Sequence, residues 1–85
     1  MKYFIYILKC NDDTLYTGIT TNIQRRIHEH NFSKKGAKYT KTRRPVILAH
    51  TEIMQDKSSA AKREYAIKKL TRSEKLALIS NTKPN

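Results

Sequence analysis

Eighty-five residues make one compact domain and leave no room for a second core. Only 38% of them are apolar, but those residues are clustered and patterned, which argues against a disordered chain. Eighteen Lys and Arg against seven Asp and Glu give a net charge of +11, a field that attracts polyanions through phosphate contacts and counterion release and puts nucleic acid first among candidate partners.

Residues Tyr3 to Cys10 are rich in aromatic and β-branched types and are apolar on both alternating faces. That pattern predicts a strand covered on both sides. The run from Tyr3 to Leu8 is too short for the core of a secretory signal and is ended by Lys9. No stretch of the chain could span a bilayer, and no helix pairs a bulky apolar face with a basic one, so a membrane partner is not expected. The single cysteine, Cys10, cannot form an internal disulfide. It reads as a core residue and fits a reducing, cytoplasmic location.

Asn11, Asp12, Asp13 and Thr14 form a turn cluster, and Leu15 to Thr20 reads as a second strand, so the two strands make a hairpin. Asn22 is a good N-cap for a helix from Ile23 to Asn31, in which Ile23 and Ile27 lie one turn apart. Phe32 to Pro45 holds Lys34, Lys35, Lys38, Lys41, Arg43 and Arg44 with no acid, contains Gly36, and reads as a basic loop. Val46 to Ile53 is a third strand. Asp56 caps a helix over Lys57 to Leu70, and Thr71-Arg72-Ser73-Glu74 is a capping box that opens a last helix, Arg72 to Ser80. Asn81 to Asn85 reads as a frayed tail. The expected fold is therefore a single α+β domain over residues 1–80, in the order ββαβαα. Its sheet has three strands, mainly antiparallel, and is flanked by three helices.

Most of the acids have ordinary reasons to be where they are. Asp12 and Asp13 sit in the turn, Asp56 and Glu74 are caps, Glu52 lies near a strand end, and Glu29 falls off the apolar stripe of its helix. Glu64 differs, because it projects within about 60° of both Ala60 and Ile67, on an inward face. A carboxylate there needs a partner or a metal. It is either an i,i+4 partner of Lys68 or a metal ligand, and both readings stay open on spacing alone. No cluster of acids would hold two metals, so any metal chemistry is expected to use one ion.

On the first helix, Arg25 projects opposite Ile23, into solvent. Arg26 and His30, four residues apart, project about 60° and about 20° from Ile23 and border the apolar stripe. They face a cleft at the sheet edge, or they simply snorkel along the border. Tyr6 and Tyr16 lie on the paired strands. If Tyr6 sits opposite Gly18, then Tyr6, Tyr16 and Gly18 share one face, and Gly18 leaves space for a ligand backbone. Taken singly, both tyrosines also read as ordinary sheet packing.

Together these residues resemble the GIY-YIG nuclease superfamily. The first motif element is Phe4-Ile5-Tyr6 and the second is Tyr16-Thr17-Gly18, ten residues on. The helix arginine of the family matches Arg26, the position four further on is His30, and the metal-binding glutamate matches Glu64. The stretches Leu15 to Thr21, Gly36 to Thr40, Arg43 to Val46 and Ala66 to Leu70 are similar to the small stand-alone bacterial proteins of this superfamily. The match covers about residues 2 to 80. Phe4 stands where the first element has glycine, Ile19 where a basic residue often follows the second, and the asparagine near the C-terminal end of some catalytic members has no clear counterpart.

The resemblance implies phosphodiester hydrolysis with one divalent cation, Mg²⁺ first among them, held by Glu64. It further implies Tyr16 as the base, Tyr6 positioning water or phosphate, His30 relaying a proton or holding the phosphate, and Arg26 stabilising charge on phosphorus. The basic loop, with Lys34, Lys35, Lys38, Lys41, Arg43 and Arg44, is expected to track a nucleic-acid backbone, DNA ahead of RNA, with Tyr39 stacking on a base. The alternatives are a nucleic-acid-binding domain with little catalysis and a basic accessory protein acting through protein partners that the sequence does not identify.

Overall fold

The computed structural model describes residues 1–81. Strand β1 (Tyr3–Lys9) is the centre of the sheet. It pairs antiparallel with β2 (Leu15–Thr20) on one side and with β3 (Ile47–Met54) on the other, giving the order β2-β1-β3. The hairpin turn between β1 and β2 is closed by Cys10 N–H donating to the Thr14 carbonyl at 2.9 Å and Asp13 N–H donating to the Cys10 carbonyl at 3.0 Å. Asp13 takes a left-handed conformation, φ 66°, which aspartate tolerates better than most side chains. The Asp12 carboxylate accepts from the Thr14 amide and hydroxyl and fixes the far side of the turn.

The central strand is buried on both faces, as its two-sided apolar pattern requires. Ile5 and Ile7 point to one face and pack against Ala60 and Ile67 of α3 (Lys57–Lys68), with Leu78 and Ile79 of α4 (Arg72–Asn81) beside them. Tyr6 and Leu8 point to the other face and pack with Cys10 and Val46, together with Tyr16 and with Ile23 and Ile27 of α1 (Ile23–Phe32). The sheet is thus one layer between two helical layers. Each fully buried aliphatic side chain contributes about 1.5–3 kcal/mol of transfer free energy. Cys10 is a core residue, and burial pushes its thiol pKa up.

Both strand pairings are antiparallel, and three long helices flank the sheet. The segment expected to be a loop holds a further one-turn helix, α2 (Lys38–Lys41). It has no apolar periodicity to announce it. Its one buried residue is Thr40. The caps are where their residue types place them. The Asn22 side chain accepts from Arg25 N–H at 3.0 Å, and Asp56 accepts from Ser59 N–H at 2.7 Å. Thr71 and Glu74 close a reciprocal box, with bonds of 2.8 and 3.2 Å. The last helix runs one residue past its expected end, so Asn81, expected in a tail, is helical; the rest of that tail, 82–85, lies outside the described residues. Between Ile7 and Leu8 the β1–β3 register slips so that Ala49 is an extra residue, a bulge that bends the edge strand. Among the described residues no helix is long and apolar enough to cross a membrane.

Candidate active site

The hairpin register decides where the tyrosines go. Tyr6 pairs with Gly18 and Leu8 pairs with Tyr16. Residues opposite one another share a face, so both phenols lie on the α1 side with ring centroids 6.5 Å apart. The room above Gly18 does not serve a ligand, as its missing side chain suggested. The Tyr6 phenol fills it, and a Cβ at residue 18 would collide with the Tyr6 Oη and Cζ. Gly18 therefore contributes by admitting Tyr6, which is 2% exposed. Tyr16 is half-buried, edge-on to the His30 ring at 5.3 Å and stacked on Tyr39 at 5.8 Å.

From α1, His30 comes down onto Tyr6. Its Nε2 lies 2.8 Å from the Tyr6 Oη, and its Nδ1 lies 3.0 Å from the Thr40 Oγ1 and 3.2 Å from the Ala37 amide nitrogen. The ring is completely buried. Burial, with the positive charge of Arg26 beside it, depresses the His30 pKa from 6.5 to about 4. Arg26 extends from one turn earlier. Its Nη1 donates to the Glu29 carboxylate at 2.8 Å and to the Lys35 carbonyl at 2.7 Å. Burial alone would lower the Arg26 pKa, but hydrogen bonds to Glu29 and Tyr6 outweigh it and the guanidinium is held firmly charged. Tyr6 answers to all of these groups. Burial pushes its pKa up to about 12, Arg26 opposes the rise, and the neighbouring Tyr16 and Glu64 add to it.

Glu64 stands on α3, in the opposite helical layer, and its charge is felt at Tyr6 as a small contribution to the raised pKa. Its carboxylate also pairs with Lys68 at 3.3 Å, so the i,i+4 contact is present as well. The Glu64 side chain is 21% exposed and that of Lys68 is 52% exposed, so this pair is weakly held and leaves the carboxylate accessible. The described residues contain no group of three His, Cys, Asp or Glu side chains arranged around a common metal position. One part-exposed carboxylate is compatible with a hydrated Mg²⁺, which keeps most of its waters and takes one or two protein carboxylates plus phosphate oxygens.

The basic segment divides in two. Lys34, Lys35, Lys38 and Lys41 are exposed at its surface. The two arginines are not free to follow a backbone. Arg44 donates to the carbonyls of Glu29, His30 and Ser33, at 3.4, 2.5 and 2.7 Å, and so satisfies the open C-terminal end of α1. Arg43 pairs with Asp12 at 3.0 Å, donates to the Tyr39 carbonyl at 2.9 Å, and lies 3.9 Å from the centre of the Tyr39 ring. Tyr39 is correspondingly engaged by Tyr16 and Arg43, so stacking on a base would have to displace one of them.

Three site residues have a weaker signature in the sequence. Glu29 orients Arg26, and only its i,i+3 spacing points to it. Ala37 acts through its backbone, which no side-chain pattern reveals. Thr40 looks like any polar residue in a basic stretch until the fold buries it against His30.

A family model described as the GIY-YIG catalytic domain matches residues 2–77. The UPF0213 protein DP2720 of Desulfotalea psychrophila is 60% identical over 77 residues, covering 91% of this chain and 70% of that protein. The UPF0213 protein SH2523 of Staphylococcus haemolyticus is 55% identical over 78 residues, covering 92% and 94%. Among solved structures, the solution NMR structure of the UPF0213 protein BH0048 from Bacillus halodurans superposes with a TM-score of 0.63 at 44% identity, over 96% of this chain and 86% of that one. The solution NMR structure of EF2693 from E. faecalis gives 0.65 at 40% identity, over 100% and 92%.

Proposed function

Since this chain belongs to the GIY-YIG family, we propose that it is an endonuclease that hydrolyses phosphodiester bonds in DNA with one divalent cation, Mg²⁺, selecting its substrate by shape. The observation that supports this reading is the meeting of Tyr6, Tyr16, Arg26 and His30 on one face of the hairpin; the Glu64 carboxylate, on the other helical layer, acts on Tyr6 by its charge. Glu64 would hold the ion, which when bound supplies positive charge to the phosphate and to the leaving oxygen.

The chain's own groups do the rest. Tyr16 takes the proton of the attacking water as the new phosphorus–oxygen bond forms and the bond from phosphorus to the leaving oxygen breaks, that oxygen taking a proton from solvent. A phenol is ordinarily a poor base near neutral pH, so this role asks for positive charge beside the hydroxyl. Arg26, oriented by Glu29, faces the negative charge that grows on the phosphoryl oxygens. Tyr6, buried and held protonated, donates a hydrogen bond rather than accepting a proton. The lysines at 34, 35, 38 and 41 hold the backbone on either side of the cut. Lysine contacts to phosphates carry no base information, so in this reading selection rests on shape. The lone buried Cys10 suits a reducing compartment, and on that ground we assign the protein to the cytoplasm.

A binding-only reading has one observation in its favour, because Arg26 already spends Nη1 on Glu29 and on the Lys35 carbonyl. Incubating branched, duplex and single-stranded DNA, and RNA, with Mg²⁺ and then with EDTA separates the two. The nuclease reading expects EDTA-sensitive cuts that fall at least about 100-fold in Tyr16→Phe. Salt-sensitive binding without cuts on any of these substrates leaves the binding-only reading.

A further inference from the structure

We propose that His30 is a positioning residue, fixed as the neutral Nε2–H tautomer by the backbone of the basic segment, so that it donates to the Tyr6 oxygen and turns the Tyr6 proton away from the ring. This rests on the proposed nuclease reading for its role, but the tautomer itself rests on the hydrogen bonds alone.

The Ala37 amide is 3.2 Å from His30 Nδ1 and points its hydrogen at it. A backbone N–H can only donate and cannot be rotated away, so the nitrogen it faces must present a lone pair. Thr40 makes no competing demand. Its hydroxyl is a rotor that can donate either to the Ala37 carbonyl at 2.8 Å or to Nδ1 at 3.0 Å. The opposite tautomer would set Nδ1–H against the Ala37 N–H, two donors facing each other in a site with no exposure, and would leave that amide unpaired. A doubly protonated ring meets the same clash, with the positive charges of Arg26 and Arg44 close by.

One arrangement satisfies every fixed donor: Nδ1 accepts and Nε2–H donates 2.8 Å away to Tyr6. The groups around the ring are then Tyr6 from β1, Tyr16 from β2, Thr40 from α2, Arg26 and Glu29 from α1 itself, and Arg44 from the segment before β3. Of these, Tyr6 and Thr40 are the side chains hydrogen-bonded to the ring nitrogens, and both are hydroxyls rather than carboxylates. Because the Tyr6 oxygen accepts from His30, its own hydrogen must point elsewhere. His30 therefore sets the direction of the Tyr6 donor and takes no proton from it.

Gly36 makes the clamp possible. A Cβ there would lie 2.5 Å from the Glu29 carbonyl oxygen and 2.8 Å from the His30 Cα. Only a residue without a side chain lets the segment come close enough for Ala37 to reach the ring. The segment that carries the surface lysines thus also holds the hydrogen-bond direction at Tyr6.

The test is a long-range proton–nitrogen correlation spectrum of the ¹⁵N-labelled full chain, without nucleic acid or metal. His30 is assigned by the signals that disappear in His30→Gln. The proposal expects a protonated Nε2 and an unprotonated Nδ1, unchanged from pH 5.5 to 8. Protonated Nδ1 at neutral pH, or a His30 ring that titrates near the free value, overturns it. In Gly36→Ala, with a dispersed amide spectrum to show that the chain is folded, the single tautomer should give way to a mixture; an unchanged ring would show that the segment does not set it. Where cleavage is measurable, His30→Gln should lower the rate without moving the pH profile, and loss of an acid limb would instead make His30 a proton carrier. If no substrate is cut, the nuclease reading fails and the spectrum still decides the tautomer.

Discussion

Gly18 and His30 carry the arrangement at the residue scale, one by lacking a side chain and one by having both ring nitrogens engaged. Gly18→Ala should push the Tyr6 phenol off its seat and cost about 1–3 kcal/mol in urea denaturation, with loss of the Tyr6–His30 bond. His30 makes stability depend on pH with a defined sign. The folded ring protonates only near pH 4, against 6.5 for a free imidazole. Between those values the unfolded chain binds the extra proton, so stability falls as pH falls from 6.5 toward 4 and is fully present above 6.5. The contribution is up to about 3 kcal/mol. Urea unfolding of the wild type should weaken across that window relative to His30→Gln; parallel curves for the two proteins would contradict it. Much at this scale is legible in the sequence. Ten-residue spacing from Tyr6 to Tyr16 and from Tyr16 to Arg26 sets out the site, and the short turn leads to the Tyr6–Gly18 pairing. The clamp on His30 is not legible, because a backbone amide donates whatever residue carries it.

At the scale of elements, caps and turns are readable because they depend on residue type at one position. Asn22, Asp56 and the Thr71–Glu74 box all accept where their side chains can reach. The basic segment is harder to read. Charge alone does not separate a lysine facing water from an arginine that closes a helix. Arg44 gives three carbonyls of α1 their donors, and Arg43 ties the hairpin turn to Tyr39. The one-turn helix α2 escapes a sequence reading for a related reason: Lys38–Lys41 has no apolar period, and it is the burial of Thr40 against His30 that holds it. Arg44→Ala should therefore cost about 1.5–3 kcal/mol of stability, whereas Lys38→Ala should leave thermal unfolding unchanged. Equal melting losses for the two would mean that the cap contributes nothing.

Across the whole molecule, two helical layers hold one narrow sheet, and the candidate site draws on both. The α3 layer is anchored to β3 by Arg63, which makes a two-bond pair with Glu52 at 2.7 and 3.0 Å, while His50 contacts the same carboxylate at 2.8 Å. That anchorage fixes the helix that carries Glu64. Within the basic segment, it is the lysines rather than the arginines that carry positive charge outward. Replacing Lys34, Lys35, Lys38 and Lys41 with alanine should flatten the salt dependence of duplex binding, by about 0.9 in the log–log slope for each phosphate no longer neutralised. An unchanged slope would place the binding surface elsewhere.

The most direct measurement is Mg²⁺-dependent DNA cleavage by Glu64→Gln beside the wild type, with the folding stability of both followed by urea. The sheet separates the helix that carries Glu64 from the helix that carries Arg26, so only a shared active site makes this carboxylate matter for cutting. The expected result is cleavage lower by at least about 100-fold, with stability changed by less than about 1 kcal/mol, the scale of a surface pair with Lys68. Wild-type cleavage by Glu64→Gln would show that the carboxylate serves only Lys68.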